Sequence, residues 1–180
     1  MLTTYECLEH CGSRQLVIGR LAENFTAVLT KISEPVDANS RNEWAELDAC
    51  LLPRHRYRRF FRIVFTILQM DPNTAAIALF YISQYFGSLI GGSESHHASN
   101  HFPIIIAALS LGCKFHEDIK IKLTRWAQLS SVPVGYLVKC ELAILKSLNW
   151  KLYLSEDQFY EWGTTMHKYL TVRNMRNKCG

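Results

Sequence analysis

The chain has 180 residues, enough for one domain with a substantial hydrophobic core and too few for a large multidomain enzyme. Hydrophobic residues make up 48% and charged residues 20%, which excludes a disordered or collagen-like protein. The net charge of +4 is too small to indicate a nucleic acid partner. Six scattered cysteines favour reduced thiols over a disulfide framework, so we expect a protein of the nucleus or cytoplasm without a membrane-spanning segment.

The first half of the chain contains three predicted helices. Apolar residues recur at helical spacing between Ile18 and Ile32, whereas residues 34–53 lose the pattern and are predicted to be mainly a connector. Arg54–Leu68 is predicted as an amphipathic helix with Arg54, Arg58 and Arg62 on one side and apolar residues, among them Ile63 and Ile67, on the other. Asp71 and Pro72 then open a predicted helix over Asn73–Leu89.

The second half begins with a polar segment, residues 91–100, that is predicted to be a surface loop. Residues 102–115 form a helix that is apolar nearly all round, which predicts the centre of the fold. Two helices follow, over Leu123–Leu129 and from Pro133 to Asn149, and Ser155 with Gln158 predicts a capping box at the start of the last helix. Because no sustained alternation predicts a strand, we expect an all-α bundle around the central hydrophobic helix.

Two charged residues lie where apolar residues are expected. Glu141 falls near the centre of the apolar stripe of its helix, and Lys114 is the one charged residue in the central helix. An unpaired buried charge costs several kcal/mol, so each needs a partner. They could pair with each other as a structural salt bridge, or they could lie on an exposed apolar surface and bind the backbone of another protein. The pattern leaves both interpretations open.

Several ordered blocks of the sequence resemble a known family. They are the runs IALFYISQYF, AALSLGCKFHED and KCELAILKSLNWKLYLSEDQF and the pair Trp126-Ala127. Twelve residues separate Lys114 from Trp126 and 15 separate Trp126 from Glu141. These blocks and spacings, over roughly residues 60–162, resemble the cyclin box, and specifically the single-box, phosphate-signalling (P/U-type) cyclins of fungi and protists.

The resemblance implies a cyclin-box five-helix bundle at residues 54–170, with an N-terminal helix and connector in residues 1–53 packed on it, a C-terminal helix, and a basic tail at 171–180. It implies a non-catalytic regulatory subunit that binds and activates a cyclin-dependent Ser/Thr protein kinase as a heterodimer. The family's paired kinase-contacting lysine and glutamate match Lys114 and Glu141. Its neighbouring hydrophobic contacts match Leu111, Phe115, Leu145 and Leu152.

The sequence departs from the family in places that concern substrates. The substrate-recruiting run Met-Arg-Ala-Ile-Leu of cell-cycle cyclins is absent, and RRFFRIVFTIL stands in its place. Ser83 and Gln84 replace an Asp-Arg pair that is common in the family. We therefore do not expect substrates to be recruited through the familiar docking groove.

The alternative function is a cyclin-fold scaffold that binds transcription machinery or nucleic acid, as in the transcription factor IIB family. Arg54, Arg58 and Arg62 could form an anion or phosphate contact, although four arginines on one helix face, these three and Arg59, are also typical of a solvated surface. Zinc-finger spacing and an aromatic stacking platform are both missing, so a nucleic acid partner is not expected.

The sequence lacks the patterns of metal, cofactor and catalytic sites. Cys7, His10 and Cys11 have no second ligand pair downstream, so we expect no metal site. No P-loop, GxSxG or HExxH pattern occurs, and we expect no cofactor and no catalytic residue.

Overall fold

All regular secondary structure in the described part of the chain is helical. The computed structural model describes residues 14–32, 54–90, 101–118 and 120–178. Within these ranges seven helices and no strands are present: α1 (Arg14–Ile32), α2 (Arg54–Leu68), α3 (Pro72–Ile90), α4 (Phe102–His116), α5 (Leu123–Ser130), α6 (Val134–Ser147) and α7 (Glu156–Lys178). The expected all-α fold, five helices with one further helix at each end, is confirmed.

Helix α4 forms the centre of the bundle, as its all-round apolar sequence predicts. Every residue from Phe102 to Cys113 is buried, and α4 packs against α3, α5 and α6. It lies close to α3 at Gly112, where a Cβ atom would be 3.2 Å from the backbone oxygen of Thr74. The absence of a side chain at Gly112 therefore allows α3 and α4 to pack closely.

Helices α1 and α2 pair through an aromatic cluster. The rings of Phe25 and Phe61 have centroids 4.6 Å apart, and Phe65 meets Phe25 edge to face at 5.5 Å. Ile63 and Ile67, assigned by the sequence to the apolar side of α2, are nearly half exposed. The prediction that Ile63 and Ile67 belong to the apolar side is wrong. At about 100° per residue they lie on the far side of α2 from Phe61 and Phe65.

The end of α6 determines how the chain reaches α7. The N–H of Asn149 donates to the carbonyl of Lys146 at 3.0 Å and the N–H of Trp150 to that of Leu145 at 2.8 Å, which is the hydrogen-bond pattern of a Schellman cap. Asn149 and Trp150 have φ angles of 49° and 62°, so the backbone turns through two left-handed residues. The connector 151–155 then leads to α7.

The predicted capping box at the start of α7 is confirmed. The N–H of Ser155 donates to Oε1 of Gln158 at 3.1 Å, and the N–H of Gln158 donates to Oγ of Ser155 at 3.3 Å. Further along α7, Nε1 of Trp162 donates to the carbonyl of Ala76 in α3 at 2.8 Å. Helix α7 extends to Lys178 and thus includes most of residues 171–180.

Helix α1 is the helix expected within residues 1–53, and it packs against α2, α3 and α7. Two predicted features lie outside the described residues: the connector 34–53 and the loop 91–100. None of the described helices is both long enough and apolar enough to cross a membrane.

Candidate functional site at the α4–α6 contact

The two charged residues singled out by the sequence meet at the contact between α4 and α6. Nζ of Lys114 donates to both oxygens of Glu141, at 2.6 Å to Oε1 and 2.7 Å to Oε2. The side chain of Lys114 is 35% exposed and that of Glu141 12%. The two interpretations of the sequence are therefore compatible, because the residues pair with each other and the pair still reaches the surface.

A third polar residue completes this cluster. Ser110 lies one turn before Lys114 on α4, is fully buried, and donates its hydroxyl hydrogen to Oε1 of Glu141 at 2.8 Å. Sequence reasoning missed Ser110. The available signal was a hydroxyl four residues before the lysine in an otherwise apolar helix, a spacing that places both side chains on one face.

The predicted apolar contacts differ in how much surface they offer. Phe115 is 51% exposed, whereas Leu111, one turn earlier on the same helix, is only 5% exposed and belongs to the core. Leu145 and Leu152 are half-buried and pack partly against the core. Phe115 therefore supplies the largest exposed apolar area of the four, and Leu111 belongs to the buried core one turn earlier on α4.

Helix α6 adds exposed apolar residues that the sequence did not single out. Val138 and Leu142 are both exposed, and their spacing places them next to Glu141 and Leu145 on α6. We call the set Lys114, Phe115, Val138, Glu141, Leu142 and Leu145 the α4–α6 surface. A charged pair flanked by apolar side chains on rigid helices is suited to protein binding, since the apolar area favours burial and the pair gives orientation.

The connector after α6 is anchored close to this surface. The hydroxyl of Tyr81, on α3, donates to the carbonyl of Leu152 at 2.6 Å and contacts Nε2 of His116 at 2.9 Å. Burial raises the pKa of Tyr81 well above its usual value, so the hydroxyl keeps its proton. Trp150, just before Leu152, is 63% exposed and extends the apolar area beyond α6.

The cysteines beside the site are not activated nucleophiles. Burial, followed by the nearby charge of Glu141, raises the pKa of Cys140 to about 11. Burial also raises the pKa of Cys113 well above its usual value. Both thiols remain protonated at neutral pH, which suits small buried residues better than catalysis.

The basic residues of α2 lie on a different part of the molecule. Arg58 is exposed and forms an ion pair with Glu23 of α1 at 3.1 Å, and Arg62 is exposed on the same helix. The side chain of Arg54 and the segment with Cys7, His10 and Cys11 fall outside the described residues. In the ranges that are described, no cluster of three His, Cys, Asp or Glu side chains could hold a metal ion.

The comparison with protein families agrees with this architecture. Residues 51–153, more than half of the chain, match the family model described as Cyclin, N-terminal domain. The protein is therefore a member of the cyclin family, whose members are regulatory proteins. The matched range contains the whole α4–α6 surface. A search among curated proteins finds no match.

Proposed function

We propose that this protein binds and activates a cyclin-dependent Ser/Thr protein kinase and has no catalytic residue of its own. One observation carries the proposal: in a member of the cyclin family, the Lys114–Glu141 pair reaches the surface among exposed apolar side chains. A helix or loop of a partner offers carbonyl groups to the lysine and N–H groups to the carboxylate. Phe115, Leu145 and the half-buried Leu152 supply the apolar contact around the pair.

The proposed mechanism is positional. A protein kinase is active only when the glutamate of its αC helix pairs with the lysine of strand β3 and its activation loop is correctly placed. A rigid surface that binds αC in this inward position shifts the kinase toward its active form. Helices α4 and α6 provide that rigidity because they pack directly on each other around buried residues.

The free energy required is within reach of such a surface. Moving a kinase from 1% to 99% active requires the activator to prefer the active form by about 5.5 kcal/mol. Charge-assisted hydrogen bonds contribute about 1.5–3 kcal/mol each. Two of these bonds and the burial of Phe115 and Leu145 would supply that preference.

We further propose that the protein is of the P/U, phosphate-signalling type and acts in the nucleus or cytoplasm. The support is the ordered set of sequence blocks around Lys114, Trp126 and Glu141. In the structure Trp126 is fully buried in α5, which packs against both α4 and α6. It thus supports the two helices that bear the pair.

The test measures kinase binding by Lys114→Ala and Glu141→Ala with a panel of purified cyclin-dependent kinases. Each variant is expected to weaken binding by about 2 kcal/mol or more. The thermal midpoint should change little, because Lys114 is 35% exposed and Ser110 still donates to Glu141 when Lys114 is replaced. Glu23→Ala, which removes the exposed ion pair with Arg58, is the matched control and should leave kinase affinity unchanged.

A charge exchange separates recognition from internal stabilisation. Lys114→Glu combined with Glu141→Lys keeps opposite charges side by side but reverses their positions toward a partner. If the pair recognises the kinase, the exchanged protein folds normally but binds the kinase poorly. Normal affinity of the exchanged protein, or alanine variants that lose binding only in proportion to their unfolded fraction, would contradict the proposal.

A further inference from the structure

The carboxylate of Glu141 is held unequally at its two oxygens. Oε1 accepts hydrogen bonds from both Ser110 and Lys114, while among the described residues Lys114 alone donates to Oε2. The donors also differ in freedom. Ser110 has a short side chain that is fully buried in α4, whereas Lys114 is partly exposed on a flexible four-carbon stem.

This inequality matters when a partner binds. An ammonium group has three N–H donors, and the contacts to Glu141 engage two of them in the free protein. Turning Lys114 toward a partner's carbonyl would weaken its hold on a carboxylate that is only 12% exposed. A largely buried carboxylate without a donor is costly, so the exchange would be opposed unless another group stayed bonded to it.

We propose that Ser110 is a positioning residue that keeps Glu141 hydrogen-bonded and fixed in place while Lys114 is shared with the partner. The inference rests on the proposed kinase-binding function and assigns to Ser110 a part in the partner site. Because Ser110 fills one side of Oε1, the open acceptor positions of Oε2 are left for an N–H group of the partner.

The test is Ser110→Ala, with affinity measured against the kinase that binds the unmodified protein most tightly in the panel. In the free protein Lys114 still donates to both oxygens, so the thermal midpoint should stay within about 3 °C. In the complex Glu141 loses its remaining internal donor, and the Kd should rise about tenfold. A merely structural serine would not affect binding more than folding.

Ser83→Ala is the control, because the Ser83 hydroxyl on α3 is partly buried and, among the described residues, bonds the Phe80 carbonyl of its own helix at 2.7 Å rather than a residue of the α4–α6 surface. It should leave the Kd unchanged. In a Glu141→Ala background, Ser110→Ala should cause no further loss of affinity, since Ser110 acts through Glu141. Ser110→Cys, with a weakly donating thiol, should show a smaller loss and covers the case in which Ser110→Ala folds poorly.

The possible failures are distinguishable. If Lys114→Ala and Glu141→Ala weaken binding but Ser110→Ala and Ser110→Cys stay within twofold of the unmodified protein, the role of Ser110 is overturned and the proposed function stands. The role of Ser110 is also overturned if Ser110→Ala weakens kinase binding by its full amount in the Glu141→Ala background. If neither Lys114 nor Glu141 affects binding, both proposals fall.

Discussion

The two sides of α3 are packed very differently. Toward α4, a Cβ atom at Gly112 would lie 3.2 Å from the Thr74 backbone oxygen and 3.3 Å from its Cγ2. Toward α1 and α7, a cavity of about 100 Å³ remains, and a Cβ atom at Gly163 would have no described atom within 4 Å apart from its chain neighbours and the backbone of its own helix. The tight side supports the helix that carries Lys114. We infer that precise packing is concentrated beneath the α4–α6 surface, and that the α7 side tolerates change.

The largest effect on folding is expected from Gly112→Val. The β-branched side chain would have to displace α3 at Thr74, where the neighbouring atom is backbone and cannot rotate away. Overpacking of this kind costs about 1–3 kcal/mol, and we expect the upper half of that range in urea unfolding. An unchanged free energy of unfolding would show that α3 and α4 separate easily and would remove the contrast between the two sides.

A smaller loss is expected from Tyr81→Phe, which deletes the hydroxyl that joins α3 to Leu152 and His116. The Leu152 carbonyl and the imidazole would each lose a partner, so stability should fall by about 1–2 kcal/mol. Tyr85→Phe, one turn later on α3, is the matched control. Its hydroxyl forms no hydrogen bond with the described residues, and we expect a change below about 0.5 kcal/mol. Equal losses in the two variants would contradict the anchoring role of Tyr81.

The sequence predicts the helices well because their signals are local. The all-round apolar run predicts the central position of α4, and Ser155 with Gln158 predicts the cap of α7. The site is less predictable. Leu111 and Phe115 lie one turn apart on one face, yet the first is buried and the second exposed, because the end of α4 emerges from the bundle.

The partners of the charged residues also depend on tertiary structure. Helical spacing identifies Lys114 and Glu141 as unusual, but their pairing requires that α4 and α6 pack at one particular register. The contact between Ser110 and Glu141 depends on the same register, so the pattern of either helix alone does not specify it.

The stability of the closely packed contact between α3 and α4 is also expected to depend on pH through His101 at the start of α4. Burial lowers the pKa of His101 below 6.5, and its ring meets Phe86 edge to face at 4.8 Å. As the pH falls through 6.5, His101 becomes protonated in the unfolded chain but not yet in the folded protein. The free energy of unfolding therefore decreases. One histidine contributes a slope of at most about 1.4 kcal/mol per pH unit.

His101→Asn should therefore flatten the decline in stability between pH 7.5 and 5.5, measured by urea unfolding at several pH values. Some slope should remain, because desolvation also lowers the pKa of His116 at the other end of α4. An identical slope in the variant and the unmodified protein would mean that His101 protonates equally well in the folded and unfolded states.

The smallest effect, and the one of opposite sign, is expected from Gly163→Ala on the loosely packed side. Glycine inside a helix costs about 1 kcal/mol relative to alanine, and here the added methyl group would meet open space. Stability should therefore rise by about 0.5–1 kcal/mol, read as a higher urea midpoint with an unchanged slope. Gly112→Ala is the paired variant, because it gains the same helix propensity but places its methyl group against Thr74. If Gly163→Ala gains no more than Gly112→Ala, the two sides of α3 are packed alike and the contrast fails.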